Sequence, residues 1–504
     1  MNINKTIKIN MLKAMFLTFF GFFIVTQGIV AQEQEAEQSQ AEQPQAEQPH
    51  KVQMTPDEAV EMAIKNNLLM ESSRIDLSTR RRASHYSWNQ FIPNVTASGT
   101  ISRSNQPNTT SGLYPIDMAD LMNPMLSGMG IPPMPPETLY GVTPYSVDLP
   151  RSALLGSLQA SLNLNVAMFE NMIRLRKDYQ AGQLSYEKTK AQLERDVRKA
   201  YHNILLIQEN INLLQGSFDN AQRQVDIAQA NYNAGRIPEL TLLQAQVVRE
   251  NLRPVIDQAD NGLKLSMAQF AYFLGLDYDT EFDLIPVAAN IDYMPLDVVE
   301  LVKEALEKKP DIKELRQTIL MLKSAHRATT YGALTPFLNL SYNYNPIFMG
   351  DPANDSWFGS GSEWSDRGSF SVTLGMRLHS LIPFSPDFQG IINVSDQIKS
   401  ANVGLEQMIY GTEIEIYNIV LSLERTRTTA EAMLETIHLA ERSYQLTEQA
   451  YQAGLQDYFQ VQSAEQSWHQ ARVQMLEQQF NYLNGLIDLE YSIGVPFGTL
   501  SQRD

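Results

Sequence analysis

The stretch Ser369-Phe-Ser-Val-Thr-Leu-Gly-Met-Arg-Leu-His379 decides how the rest of the chain is interpreted, because its side chains alternate between apolar and polar. Successive side chains of a strand point to opposite sides, so the pattern predicts an extended strand with one apolar and one polar face. Two environments fit this pattern. In a soluble sheet the apolar face covers a core, and in a membrane barrel it faces lipid while the polar face lines a wet lumen.

Three more runs of about ten residues alternate in the same way, at Val95–Ser102, Leu158–Val166 and Leu338–Asn345. Their polar faces are almost entirely Ser, Thr, Asn and Gln, which suits contact with water. Four strands are too few to close a barrel, since about eight is the practical minimum. An open sheet edge in lipid leaves backbone groups unpaired, at several kcal/mol each. If these strands lie in a membrane, the barrel must therefore be shared between chains.

The N-terminal residues 1–31 are predicted to be a secretory signal peptide. Three lysines precede the apolar run Met15–Val25, and Ala31 offers a cleavage point. A single membrane helix is the alternative, but the run is short for one. Residues 32–53 are rich in Gln, Glu, Ala and Pro, a composition that does not bury a core, so we interpret them as a disordered tether.

Composition excludes several classes of function. The chain has no cysteine, which excludes disulfides, thiol catalysis, thiolate metal sites and a lipidated N-terminal cysteine. A net charge of −18 makes nucleic acid an unsuitable partner. The one conspicuous basic cluster, 80–82, is interpreted as a solvated helix face near a membrane interface. The seven histidines are scattered, and no phosphate loop or nucleophile elbow is present. We therefore predict no catalytic residue, no cofactor, no metal site and no enzymatic activity.

Long helices occupy much of the remaining sequence. Order begins with Thr55-Pro56-Asp57-Glu58, a capping box that starts a helix. After the second strand, apolar residues spaced alternately by three and four predict a helix over 170–234, about 100 Å long at 1.5 Å per residue. Gly235 and Pro238 end it, and a return helix is predicted over 240–273. Between the first two strands, 103–154 is interpreted as a long loop rich in Pro, Met, Gly and Asn.

The plan then starts again, which predicts a two-fold internal repeat. Tyr232-Asn-Ala-Gly235 recurs as Tyr451-Gln-Ala-Gly454, and forty residues separate each of these glycines from a second glycine, Gly275 or Gly494. We assign 54–293 to the first structural repeat, 294–495 to the second and 496–504 to a C-terminal tail. Each repeat is expected to contain helices, two strands and a long helical hairpin.

The ordered set of motifs resembles the TolC-like outer-membrane efflux proteins over nearly all of the mature sequence. The resemblance is carried by the opening Thr55–Val60 with Asn66-Asn67, by the proline-headed strands, and by Phe384 with Gln389-Gly390 after the fourth strand. The Tyr-x-Ala-Gly turn near each helical tip and the closing Leu274-Gly275 and Ile493-Gly494 complete it. It implies a mainly α fold with a transmembrane β-barrel part.

The resemblance also implies an assembly and a location. A homotrimer would combine four strands per protomer into one 12-stranded barrel in the lipid of the outer membrane, and its helices would continue as a periplasmic tunnel. Each chain would then be a passive exit duct, opened by a periplasmic adaptor protein and an inner-membrane pump.

The hairpin turns are the candidate sites. Adaptor docking is expected at two tips, comprising Gly235, Arg236, Ile237, Gly454, Leu455 and Gln456. Helix termination by glycine is the purely structural interpretation of these turns, and we expect both to apply. Relatives often carry an aspartate ring just past the second tip. The matching region here has Gln460 and Ser463, with Asp457 nearer the turn, and these three are the candidates for the lumen and gate. A solvated carboxylate at a helix N-terminus is the other interpretation of Asp457.

Two rival functions remain open from the sequence. A soluble periplasmic coiled-coil scaffold would account for the heptads but not for four alternating strands behind a signal peptide. A passive surface porin or adhesin would use the long loop outside the cell. The cargo and the class of pump are not encoded in any pattern that we find.

Overall fold

The computed structural model describes two units of the chain, one of strands and one of helices. Residues 89–166 and 334–378 contribute to the strand unit, and the helical unit draws on the rest of the described chain. The described residues are 52–106, 108–133, 140–149, 151–286, 296–350, 364–365, 368–453 and 455–500. The predicted signal peptide and nearly all of the predicted tether lie outside these ranges.

Outside 103–154, the long helices and the four sheet strands follow the predicted order. In chain order they are β1 (Val52–Met54), α1 (Pro56–Asn66), α2 (Leu68–His85), β2 (Asn94–Arg103), β3 (Asn108–Asp117), α3 (Met118–Gly128), β4 (Tyr140–Leu149), β5 (Ser152–Asn165), α4 (Ala167–Asn233), α5 (Glu239–Leu274), β6 (Phe282–Leu284), α6 (Val298–Lys308), α7 (Pro310–Leu334), β7 (Phe337–Tyr344), β8 (Ile347–Met349), β9 (Trp364–Ser365), β10 (Gly368–Gly375), α8 (Pro386–Gln452) and α9 (Tyr458–Ile493). Short 3-10 turns occupy Ser87–Phe91 and Leu378–Leu381. Within the described ranges, no helix combines the length and apolarity needed to cross a membrane.

The four alternating runs form one antiparallel sheet in the order β2-β5-β7-β10. Its register aligns the apolar residues of all four strands on one face, as in the row Leu164, Leu338 and Leu374. The polar residues align on the other face, as in the row Ser161, Ser341 and Ser371. The apolar face of the outer strands is open, and Leu374 is 75% exposed. Within one chain this face therefore has no core to cover.

Each outer strand of this sheet has a free edge. Among the described residues, β2 pairs only with β5, and β10 pairs only with β7. Free edges of this length carry rows of unpaired N–H and C=O groups, which need a partner strand in lipid.

Two predictions about this unit were wrong. The segment 103–154 is not an irregular loop, because β3 and β4 pair over ten residues each as a hairpin that carries α3 between them. The fourth strand ends at Gly375 rather than at His379. There the backbone of Gly375 lies against the ring of Phe337, and an added Cβ would come within 2.6 Å of that ring. The chain then turns into the Leu378–Leu381 3-10 segment instead of extending the alternation.

The helical unit confirms the two-fold repeat. Helices α4 and α8 both contain 67 residues, α5 and α9 both contain 36, and each pair is offset by 219 positions. The capping box at Thr55 and Glu58 is present, and the Ser385 side chain caps α8. The long helices therefore begin, turn back and end at equivalent positions in both repeats.

Each repeat has its own buried core. In the first, Tyr201, Phe270 and Leu274 are fully buried. In the second, Val420, Leu489 and Ile493 hold the equivalent positions, 219 residues later, and each is at most 2% exposed. The Tyr201 hydroxyl is the donor to two backbone carbonyls. It lies 2.8 Å from the carbonyl oxygen of Met54 and 2.7 Å from that of Ile285.

A short parallel sheet closes the first core. Strand β1 pairs with β6, so Val52 and Gln53 are part of the fold. The predicted end of the tether at residue 53 was therefore two residues too late. Three residues are too few to give a strand signal by themselves, and the pairing partner lies 230 positions away.

Candidate functional site

The first hairpin tip connects α4 to α5 through an exposed turn. Gly235 has a φ of +69°, and its N–H donates to the carbonyl of Tyr232 at 2.9 Å. The next N–H, of Arg236, donates to the carbonyl of Asn231 at 2.9 Å, which closes the helix end. Gly235 and Arg236 are exposed, whereas Ile237 is half-buried and packs on the apolar cluster below the turn.

The second tip repeats this closure. The N–H of Leu455 donates to the carbonyl of Ala450 at 2.9 Å, which is the bond of the first tip shifted by 219 positions. Leu455 and Gln456 are exposed. Gly454 lies outside the described residues. The structure thus brings the predicted docking residues of each tip together at the end of its own hairpin.

Of the three candidate gate residues, Asp457 lies immediately before α9, and Gln460 and Ser463 lie on its first two turns. Asp457 is the N-cap, and its Oδ1 accepts from the N–H of Gln460 at 3.0 Å. Gln460 and Ser463 follow at intervals of three, and all three side chains are exposed. A carboxylate at this position offsets the unpaired N–H groups of the helix start. The first tip has Pro238 at the equivalent position, with no side-chain cap.

Below the tips, the four helices share an aromatic cluster that the sequence analysis did not single out. Tyr444 and Trp468 stack with ring centroids 5.4 Å apart, and Tyr451 and Tyr458 lie 6.0 Å apart. Val461 is completely buried among them. The apolar spacing of three and four described for 170–234 recurs in α8 and includes Tyr444 and Tyr451. The partners on α9 depend on the rotational phase of that helix, which this spacing does not give.

This cluster also contains buried polar atoms that lack a hydrogen-bond partner. Of the six such side-chain atoms among the described residues, five belong to the hairpins near the tips. They are Gln224 Oε1, Arg249 Nε, Tyr451 OH, Glu465 Oε1 and Trp468 Nε1. Buried polar atoms are normally paired, so a concentration of unpaired ones marks packing that is less than fully satisfied.

Burial changes the ionisation of groups in the same cluster. It raises the pKa of Tyr444 and of Tyr458 to about 12. Burial is also the main cause of the raised pKa of Glu465, with the nearby Glu448 carboxylate acting in the same direction. The pKa of His469 is lowered by burial and by Arg472. Within the described residues, no group of three or more His, Asp or Glu side chains is arranged to hold a metal ion.

Known proteins share both the sequence pattern and the architecture. Residues 59–269 match the family model described as "Outer membrane efflux protein". The fold is similar to that of a membrane protein from Pseudomonas aeruginosa, with a TM-score of 0.66, 16% identity and coverage of 87% of this chain and 93% of that one. The chain has the fold of the TolC-like outer-membrane channels.

Two further solved structures agree with this assignment. The Campylobacter jejuni CmeC outer-membrane channel gives a TM-score of 0.66 at 14% identity, covering 87% of this chain and 85% of that one. The open state of the Neisseria gonorrhoeae MtrE outer-membrane channel gives a TM-score of 0.61 at 16% identity, and the match covers 87% of this chain and 89% of that one. No curated protein matches the sequence.

These matches confirm the predicted resemblance to TolC-like outer-membrane efflux proteins. They support an outer-membrane efflux channel, and the matching family is one of channels rather than enzymes. The family match covers most of the first repeat, and the second repeat has the same helix lengths and turn geometry.

Proposed function

We propose that the protein is the passive exit duct of a tripartite efflux or secretion system. The observation that carries this proposal is the combination, in one TolC-like chain, of a four-stranded sheet with two free edges and two matched helical hairpins. Three copies would close the sheet into a 12-stranded barrel and set the hairpins around one tunnel. Solute would diffuse along the polar face, and the inner-membrane pump would supply the energy.

Loss of the gene tests this function in the organism. A strain without an efflux duct should become more sensitive to exported compounds, and the wild-type gene should restore tolerance. Loss of a passive surface porin should instead lower the sensitivity of the strain, because fewer molecules of each compound then enter the cell. Unchanged or lower sensitivity across a broad compound panel would therefore contradict the proposed duct.

We further propose that the adaptor docks on the two hairpin tips. Both tips present exposed backbone turns with the same helix-closing bond, which gives six equivalent turns in a trimer. A photo-crosslinking amino acid at Arg236 or Gln456 should capture a periplasmic protein of the adaptor class. The control is the same amino acid at Asp279, which is exposed at the other end of the first hairpin. Equal capture from the tip and control positions would contradict tip docking.

Asp457 is proposed to supply a ring of three carboxylates in the trimer, near the entrance of the tunnel. Two substitutions distinguish the negative charge of Asp457 from its role as the helix N-cap. Asp457→Asn keeps an N-cap acceptor and removes the charge, whereas Asp457→Ala removes both. If the ring binds divalent cations, both variants should reduce cation block in single-channel recordings. Block that persists in Asp457→Asn would dispose of the ring.

Opening is proposed to separate the hairpins at the cluster below the tips. The unpaired polar atoms of this cluster support the proposal. Because these atoms make no hydrogen bond in the closed arrangement, parting the helices costs less free energy than it would in a fully hydrogen-bonded cluster. An adaptor that binds the parted tips better than the closed ones would shift this equilibrium.

A further inference from the structure

Three of the four helix ends that adjoin the sheet strands along the chain are basic, although the chain as a whole has a net charge of −18. The fourth, the start of α8, carries Asp387 and Asp396 and no basic residue in its first twelve positions. The last twelve residues of α2 contain four arginines and one acid, Asp76. The last twelve of α7 contain Lys323 and Arg327 and no acid. The first twelve of α4 contain three basic residues against Glu170 and Asp178. The basic residues are thus concentrated where three of the helices meet the strands along the chain.

Part of this charge is used within the protein. Arg80 binds Asp178 at 2.9 Å and Arg327 binds Glu170 at 3.0 Å, which ties α2 and α7 to α4. Lys177 Nζ donates to Ser324 Oγ at 3.0 Å. These contacts explain why some cations stand here, but they do not account for the whole set.

Four exposed cations remain, which we name the basic collar: Arg81, Arg82, Arg176 and Lys323. Among the described residues, no carboxylate lies within salt-bridge distance of any of the four. Arg82 donates only to the hydroxyl of Thr79, at 3.2 Å. Exposed cations of one sign with no internal partner leave a surface of unbalanced positive charge.

Exposed aromatic side chains lie at the crossovers between strands and helices, and Trp88 and Phe169 lie at crossovers that also carry basic-collar residues. Trp88 precedes β2 by six residues and is 52% exposed, and Phe169 follows β5 by four residues. Phe384 lies between β10 and α8 and is 87% exposed. Aromatic rings are enriched where a membrane protein leaves the hydrocarbon and enters the headgroup layer. Large exposed rings and exposed cations on the helix segments that adjoin membrane strands are typical of a surface that meets lipid headgroups.

We propose that the basic collar, with Trp88, Phe169 and Phe384, is a binding surface for anionic phospholipid headgroups in the membrane that the strands cross. Guanidinium groups pair geometrically with phosphate, and a basic segment beside a membrane span is attracted to anionic lipid. The proposal rests on the outer-membrane location but not on efflux. The other occupant is a neighbouring copy in the proposed trimer, which would have to present carboxylates to the collar, and the strand reporter described below tests for it.

Quenching of Trp88 fluorescence tests the proposal on the full-length protein. The protein is inserted into vesicles of phosphatidylglycerol or of phosphatidylcholine, and in both cases the acyl chains are brominated so that they quench tryptophan fluorescence. The chain has four tryptophans, so the fluorescence of the Trp88→Phe variant is subtracted to isolate the signal of Trp88. We expect phosphatidylglycerol to quench Trp88 at least about twofold more at low salt, and the difference to shrink at high salt.

Two matched variants assign the effect to the basic collar. Replacing Arg81, Arg82, Arg176 and Lys323 with Gln should abolish the preference for phosphatidylglycerol. Replacing four exposed cations elsewhere, Lys264, Lys303, Lys313 and Arg442, with Gln removes the same charge and should keep the preference. A preference that survives in the collar variant, or equal quenching by the two lipids in the wild-type protein, overturns the proposal.

A reporter on the strands separates this outcome from failure of membrane insertion. Val372→Trp, in the Trp88→Phe background, lies on the apolar face and should be quenched by both lipids if the strands cross the bilayer. If that reporter is quenched while Trp88 is shielded from both lipids, another copy covers the basic collar and the lipid surface is wrong. If neither is quenched, the membrane location itself fails.

Discussion

The two repeats end their return helices with the same backbone geometry and with different side chains. In the first, Gly275 is left-handed, with a φ of +69°, and an added Cβ would lie 2.5 Å from the carbonyl oxygen of Asn66. In the second, Gly494 has a φ of +80°, and an added Cβ would lie 2.8 Å from the carbonyl of Lys308. Asn66 and Lys308 are the last residues of α1 and α6, so each return helix ends against an equivalent short helix.

The polar groups beside these junctions differ. Asn67 donates to the carbonyl of Phe273 in the first repeat. At the equivalent place in the second, Lys309 is 7% exposed and its Nζ binds Glu415 at 2.7 Å. Glu490 is also buried there and accepts from the N–H groups of Gly498 and Leu500. Only glycine fits where a return helix packs this closely against another backbone, so both repeats have it. A buried polar group can be paired in several ways, so the side chains at that position differ between the repeats.

The largest effect should come from filling the shared glycine positions. Gly494→Ala and Gly275→Ala each combine an unfavourable φ with a clash against backbone, so each should cost about 3 to 5 kcal/mol. Gly235→Ala is the matched control, because its φ is also +69° but no atom lies within 4 Å of the added Cβ. It should cost about 1 to 2 kcal/mol. Urea midpoints of the detergent-solubilised protein measure the difference, and equal costs would mean that the close approach is not a constraint.

The second repeat alone should respond to the loss of a buried ion pair. Glu415→Met leaves Lys309 buried and without a carboxylate, at a cost of about 2 kcal/mol. Lys309→Met should cost less than about 1 kcal/mol, because Glu415 is partly exposed and keeps its 2.5 Å hydrogen bond from Ser492. The same urea midpoints report the order of the two variants. The reverse order would show that the lysine is not the buried member that needs its partner.

Glu490 should make the second repeat sensitive to pH. Burial raises its pKa, although backbone N–H groups and Arg198 act in the opposite direction. Between the ordinary value of 4.5 and the raised pKa, the folded chain keeps a proton that the unfolded chain has lost. The contribution of Glu490 to stability therefore falls as pH rises through this window. The difference in melting temperature between the wild-type protein and Glu490→Gln should change with pH in that range, and a constant difference would contradict the account.

The smallest effect separates the tips. Asp457→Ala removes the N-cap of α9 and should cost about 1 kcal/mol, while Asp457→Asn should cost less than half of that. The first tip has Pro238 at this place and no side-chain cap to lose. The urea midpoint again reports the cost. A variant Asp457→Ala as stable as the wild-type protein would show that the exposed cap contributes nothing at the second tip.

The parts of the fold that rest on local periodicity were predictable from the sequence. Alternation located the four sheet strands, and the heptad stripe predicted α4 to within three residues of its observed ends. The tip turns were predictable because glycine ends helices in a recognisable way.

The parts that depend on distant partners were not predictable. The β3–β4 hairpin was interpreted as a loop because the segment is rich in Pro, Met, Gly and Asn. Pro115 and Pro144 nevertheless lie within the paired strands, since a two-stranded ribbon tolerates proline at its edges. The pairing of Gln224 with Glu448, and the burial of Glu465, require the relative rotation of helices more than 200 residues apart. A short strand such as β1 becomes recognisable only once β6 is placed beside it.

The central claim is that the free edges of β2 and β10 pair with those of other copies to close a barrel. The chain has no cysteine, so disulfides form only where cysteines are introduced. Ser98→Cys on β2 is combined with Ser369→Cys, Ser371→Cys or Thr373→Cys on β10, all on the polar face. After oxidation of outer-membrane fractions, at least one pair should give a covalent trimer on denaturing gels, and the single variants should give none. If every pair remains monomeric, the shared barrel is contradicted.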